Sequence, residues 1–160
     1  KLTQAHPKVA SYPFTTLNPI VGRLEYEDFG RLKIADIPGL IGGAHEGVGL
    51  GHHFLRHIER ARFLLFVLDM AGSDGREPFE DYLHLKEELT LHREALATTP
   101  YAIVANKMDS PEADEKRAVF EREIGEPVYA ISAELEEGLE PIKKHLYDHF
   151  FGRRFNPIDS

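Results

Sequence analysis

Cysteine is absent from the 160 residues. That excludes a disulfide framework and any thiolate metal site, and it suits a reducing compartment. Long apolar runs are also absent: nothing approaches the roughly 20 consecutive apolar residues that cross a bilayer. The sequence opens neither on a methionine nor on the pattern of a secretory signal, so it reads as cytosolic and as beginning mid-protein. A basic surplus is lacking too. The formal charge of -8 argues against a free-standing nucleic-acid binder, because such domains gather positive charge to displace counterions from phosphate. Basic pairs such as Arg60 and Arg62, or Arg153 and Arg154, read as solvated surface. There is no internal repeat and no low-complexity segment.

What remains has the composition of one folded domain, with 42% apolar and 29% charged residues. Strand candidates recur at Arg31 to Asp36, Phe63 to Asp69, Tyr101 to Ala105 and Val128 to Ser132. Three are nearly continuous apolar runs, the pattern of strands buried on both faces of a parallel sheet. Upstream, Val21 to Tyr26 alternates apolar and polar residues, and Asp28-Phe29-Gly30 supplies a turn, which predicts an edge hairpin. Tyr82, Leu85, Leu89, His92 and Leu96 recur at helical spacing within Pro78 to Ala97. Ser110-Pro111-Glu112 predicts a cap, a first-turn proline and an acidic first turn, and Leu139, Ile142, Leu146 and Phe150 stripe a last helix. Alternating strands and helices give an α/β class with helices on both faces. The domain is expected to span residues 1–151, with an irregular tail over 152–160.

Asn106-Lys107-Met108-Asp109 follows an apolar strand directly, where ligands of open α/β sheets bind. Guanine presents N1–H and an exocyclic amine side by side, and the Asp109 carboxylate can accept from both. Asn106 can donate towards N7 and O6 while bracing neighbouring loops, and the Lys107 stem can lie over the flat base. Adenine would leave Asp109 facing an acceptor. Read alone, the four residues are equally well a capped loop. Ile131-Ser132-Ala133 at the next strand end favours the nucleotide: backbone N–H groups there can meet the guanine O6, and the Ser132 hydroxyl can brace Asp109.

Asp36-Ile37-Pro38-Gly39 ends another strand. Such an aspartate can hold the shell of a magnesium ion, usually through water, and the glycine lets a backbone N–H approach a γ-phosphate. In Tyr12-Pro13-Phe14-Thr15-Thr16-Leu17, the hydroxyls of Thr15 and Thr16 lie about the right distance upstream to close over metal and phosphate. His53 and His57 have zinc-like spacing, with His52 and Glu59 near. Phe54 stands where metalloprotease helices carry glutamate, so a solvent-facing switch helix is the better reading.

Taken in order, these motifs resemble the GTPase domain of Obg proteins: Tyr-Pro-Phe-Thr-Thr-Leu, Asp-Ile-Pro-Gly-Leu-Ile with Gly-Ala-His and Gly-x-Gly-Leu-Gly, Phe-Leu-Arg-His-Ile-Glu-Arg, Asn-Lys-Met-Asp and Ile-Ser-Ala. The resemblance runs from about Lys1 to Phe151 and is most specific over Asp36 to Arg60. It implies a Ras-like, P-loop NTPase-like three-layer fold with a mostly parallel sheet. By similarity Thr16 is the switch I magnesium ligand, Asp36 (also on the metal) and Gly39 anchor switch II, and Asn106, Lys107, Asp109, Ser132 and Ala133 form the guanine pocket. Magnesium-dependent GTP hydrolysis, GTP/GDP as ligand, sensitivity to guanosine tetraphosphate and a role in large ribosomal subunit maturation are likewise implied.

Two departures stand out. The family's Gly-x-Pro-Asn-Ala-Gly-Lys-Ser phosphate loop is absent from the sequence, and with it the strand that precedes the loop. Where Ras-like GTPases carry a glutamine, this chain has Leu40 and Ile41, neither able to orient water, so hydrolysis is expected to be slow and to need another group, such as a potassium ion. Residues 1 to 160 alone are expected to be inactive. The rival reading is a non-catalytic guanine-binding or ribosome-docking module.

Overall fold

The computed structural model describes residues 2, 8–9, 20–36, 60–92 and 97–152. Thr15, Thr16, Gly39, the glycines following it, His52, His53, His57, Glu59 and the tail from residue 153 lie outside these described residues.

Among the described residues two sheets form. In the first, β1 (Lys8–Val9), β2 (Ile20–Glu25) and β3 (Arg31–Ala35) run antiparallel in that order. The expected hairpin is present, closed by the Tyr26 N–H donating to Gly30 O and the Phe29 N–H to Tyr26 O. The second sheet has β4 (Leu64–Asp69), β5 (Tyr101–Asn106) and β6 (Tyr129–Ala130), all parallel, with β5 in the middle. Three helices follow the parallel strands: α1 (Pro78–His92), α2 (Ala113–Ile124) and α3 (Leu139–Phe151).

Alternation along β5 divides the core into two layers, as a strand covered on both faces requires. Ile103 and Ala105 point to one side and pack with Leu68, Met70, Leu85 and Phe120, beneath α1 and α2. Ala102 and Val104 point to the other, where Leu24, Ile142 and Leu146 join both sheets to α3. Ile142 and Leu68 are fully buried at 0% exposure, each stabilising the fold by about 1.5–3 kcal/mol. A tyrosine fastens the hairpin to α3: the Tyr26 hydroxyl donates to Lys143 O at 2.9 Å. Burial, with the Glu140 carboxylate adding to it, pushes the Tyr26 phenol up to about 12.

Three local expectations need revision. The strand over Val128 to Ser132 shrinks to two residues, because Ser132 instead bridges to Glu137. Ser110 does not cap α2: the Ser110 N–H donates to Lys107 O and the Ala113 N–H to Ser110 O, so successive turns delay the helix to Ala113, without a side-chain cap. β4 is buried on one face only, and Val67 on the other is 50% exposed.

That exposure has a structural cause. Strands β3 and β4 each lack a partner on one edge among the described residues, and between them lies a groove of about 970 Å³ lined by Leu32, Ile34, Leu65, Val67, Leu146 and Phe150. Apolar side chains of β3 and β4 line it from either side. Open edges beside apolar surface invite strand addition. Sedimentation across a concentration series is therefore expected to show residues 1 to 160 associating, or else a monomer with a broad, weakly cooperative melt. A monomer melting sharply would contradict this.

Candidate functional site

Parallel pairing delivers the ends of three strands to one place. Asp69 pairs with Asn106 across β4 and β5, and Ala105 with Ala130 across β5 and β6. Beyond the ladder the chains stay tied: the Ile131 N–H donates to Ala105 O at 2.8 Å, and the Met108 N–H to Ile131 O at 3.1 Å. The loops carrying Asn106 to Asp109 and Ile131 to Ala133 are thus held by backbone hydrogen bonds before any side chain contributes.

Two side-chain bonds then cross between these loops. The Ser132 hydroxyl donates to Asp109 Oδ1 at 2.6 Å, and the Ala133 N–H donates to Asn106 Oδ1 at 3.0 Å. Ser132 is 2% exposed, and its oxygen also accepts from the Leu135 N–H at 3.1 Å, which fixes the hydroxyl to point at Asp109. The backbone of Ser132 exchanges hydrogen bonds with Glu137, closing the loop 132–137. Gly138 makes that closure possible: its φ is 73° and a Cβ there would stand 2.2 Å from Ala130 O, far inside contact distance.

The Asp109 carboxylate is exposed but braced, and a carboxylate offers about four acceptor positions, so the bond from Ser132 leaves capacity for two more donors. Asn106 spends its oxygen on Ala133, which leaves its NH2 end to donate. The same bond occupies the Ala133 N–H, and the Ser132 N–H is taken by Glu137 O. Neither backbone donor is therefore turned outward as the sequence suggested, and contact with a base oxygen would need the Ala133 N–H to be shared with Asn106.

Lys107 adopts φ 65°, a strained choice for a residue with a Cβ. Its ammonium reaches Asp69 Oδ2 and Ser73 Oγ, each at 2.7 Å. The sequence reading missed both partners; the signal was an aspartate ending an apolar strand, Asp69, with a serine four residues on. Burial alone would raise the Asp69 carboxyl, but hydrogen bonds from Lys107, Ser73 and the Ala71 N–H, with the lysine charge, outweigh it and hold the group below the ordinary carboxylate range.

Asp36 stands just past β3, exposed, on the rim of the β3–β4 groove. No close group of three or more His, Cys, Asp or Glu exists among the described residues, and no helix among them is long and apolar enough to cross a membrane.

Parallel strands with polar loops at their carboxyl ends and helices on both faces define an α/β domain of the P-loop NTPase-like class. Solved structures agree on the fold. The G domain of the T. maritima FeoB iron transporter matches with a TM-score of 0.62 at 22% identity, over 92% of this chain and 86% of that one. The GMPPNP form of the FeoB cytosolic domain matches at 0.63 and 21% identity, over 92% of this chain and 55% of that one.

Residues 1–107 match the family described as 50S ribosome-binding GTPase, and the chain belongs to that family. Among curated relatives it is 49% identical to GTPase Obg of Akkermansia muciniphila over 96% of this chain and 44% of that protein. GTPase Obg of Bacillus licheniformis is 48% identical over 92% of this chain and 35% of its own length. That of Caldanaerobacter subterraneus subsp. tengcongensis is 52% identical over 88% and 34%. The likeness to Obg proteins read from the motifs is thereby supported across most of the chain, which spans between about a third and a half of these relatives' length.

Because the Asp69 carboxyl is lowered in the fold, the contribution of its ties is complete above the unfolded carboxylate range and is lost as pH falls through the folded value. Lys107 ammonium resonances followed by NMR are expected to stay protected from exchange at neutral pH and into mild acid, then to lose protection in stronger acid. Protection lost already in the ordinary carboxylate range would contradict the assignment.

Proposed function

We propose that this chain is the guanine-reading part of a magnesium-dependent GTPase switch. One observation carries the reading: Ser132 and Asn106 hold Asp109 and the facing loop in place from buried or hydrogen-bonded positions, so a carboxylate double acceptor stands preformed at the strand ends. Guanine's N1–H and exocyclic amine meet Asp109, the Asn106 NH2 end donates to N7, and the Lys107 stem covers a face of the base. Ser132 and Ala133 complete the pocket as supports.

On the phosphate side Asp36 is a hard oxygen donor of the kind magnesium takes, usually through water. Magnesium is commonly held by one or two protein oxygens plus phosphates, so a fuller protein cluster is not required. Thr16 supplies a second oxygen and Gly39 a backbone N–H for the γ-phosphate. Bound magnesium neutralises charge developing on the phosphates. The relatives' name supports GTP hydrolysis in the whole protein, with Thr16 and the segment from Asp36 onward ordered by γ-phosphate and released after hydrolysis. Since Leu40 and Ile41 cannot orient water, potassium is the proposed helper. The family description supports a large ribosomal subunit partner, and the Obg likeness supports subunit assembly, guanosine tetraphosphate binding and a cytoplasmic location.

The base choice can be tested with the family's first strand and phosphate loop supplied ahead of Lys1. Asp109→Asn replaces the double acceptor by an amide that can donate, which suits xanthine, where a carbonyl replaces the amine. GTP affinity is expected to fall by about 3 kcal/mol, more than a hundredfold, with preference moving towards xanthosine triphosphate. Asp36→Asn is expected to alter magnesium dependence and leave base preference unchanged. An Asp109→Asn protein that favours GTP as strongly as the parent would reduce Asn106 to Asp109 to a structural turn.

A further inference from the structure

The Lys107 side chain is restrained by residues that belong to neither of the two loops assigned to the base. Asp69 ends β4 and faces Asn106 in register; Ser73 opens the short 3-10 turn Ser73–Gly75. Both lie 2.7 Å from the ammonium. The Asp69 carboxylate is itself fixed, because its other oxygen accepts from the Ala71 N–H at 2.8 Å and the next residue, Met70, donates its N–H to Asn106 O at 3.0 Å. The four-carbon stem is consequently stretched from the end of β5 to the end of β4.

Stability is a poor explanation for this arrangement. The Lys107 side chain is 45% exposed and that of Asp69 26%, and ion pairs at such exposure add little to folding. Ordering a lysine costs rotamer entropy, and the backbone at φ 65° adds strain. Two costs and a small gain make sense where the ordered stem is used. A stem fixed in advance spares an incoming ligand the entropy of immobilising it.

We propose that Asp69 and Ser73 are positioning residues for Lys107, locking its ammonium at the end of β4 so that its stem forms a preset apolar wall of the base site. The inference rests on the guanine reading above, since only a base gives the wall something to do. Asp69 and Ser73 do not touch the ligand; they act through Lys107. Their loss leaves Asp109 and Ser132 untouched, so discrimination between guanine and xanthine stays as it was while affinity drops.

The test uses the isotope-labelled chain itself, titrated by NMR with guanosine monophosphate at millimolar concentrations, with the adenosine and xanthosine monophosphates as controls. Guanosine monophosphate binding is expected to weaken about tenfold in Asp69→Ala, less in Asp69→Asn, which keeps an acceptor without the charge, and about threefold in Ser73→Ala. The guanine-to-xanthine ratio and the melting midpoint are expected to stay near those of the parent, with Lys107 ammonium protection falling in step with affinity. Ser73→Ala leaves the strand ends intact and keeps the test decisive should Asp69→Ala fold poorly. Variants that release the ammonium yet bind as tightly as the parent would overturn the positioning role alone. A parent chain showing no preference for guanosine over adenosine monophosphate would instead remove the guanine reading, and this inference with it.

Discussion

The register of β5 is the constraint on which the rest depends. This strand is buried along its middle four residues and pairs in parallel with β4 on one side and β6 on the other. Parallel pairing brings like ends together, so Asp69, Asn106 and Ile131 finish at one level, and every polar contact of the candidate site is made within a few residues of that level. A shift of one residue would exchange the faces that Ile103 and Val104 present to the two core layers. The core therefore enforces the alignment that the site needs.

The same structure shows where this organisation stops. On the side proposed to read the base, each described loop is tied to its neighbour, whereas the side towards β3 ends at a groove between two strand edges unpaired among the described residues. Arg31, Lys33, Arg60 and Arg62 line that groove with Asp36 as its acidic member, a local positive surplus on a chain of net charge -8. Apolar contacts through α3 still join the two sheets in one core layer. Among the described residues the hydrogen-bond ladder is thus divided between β3 and β4 while the hydrophobic core is not.

Much of this was legible in the sequence because it is local. The apolar runs of β4 and β5, the hairpin turn at Asp28 to Gly30 and the stripe Leu139, Ile142, Leu146 follow from periodicity and turn chemistry, as does the place of Asn106 to Asp109 at a strand end. Contacts set by long-range register were harder to see. Nothing in the order of residues shows that Lys107 would reach back to Asp69 and Ser73, because the link depends on β4 lying beside β5 in that alignment. The shortness of β6 was hidden for a similar reason: Ser132 looks like a strand residue until Glu137 competes for its backbone. The positive φ of Lys107 was invisible as well, since such a conformation is seldom expected of lysine.

The central claim is that the loops after β5 and β6 form a guanine site already shaped before ligand arrives. A crystal structure of the chain with a bound guanine nucleotide addresses it most directly. The expected result places the base between these loops, N1 and the exocyclic amine within hydrogen-bond reach of Asp109, with the Ser132 bond to Asp109 kept near its present 2.6 Å. A base bound elsewhere, or an Asp109 that must leave Ser132 to meet it, would contradict the claim.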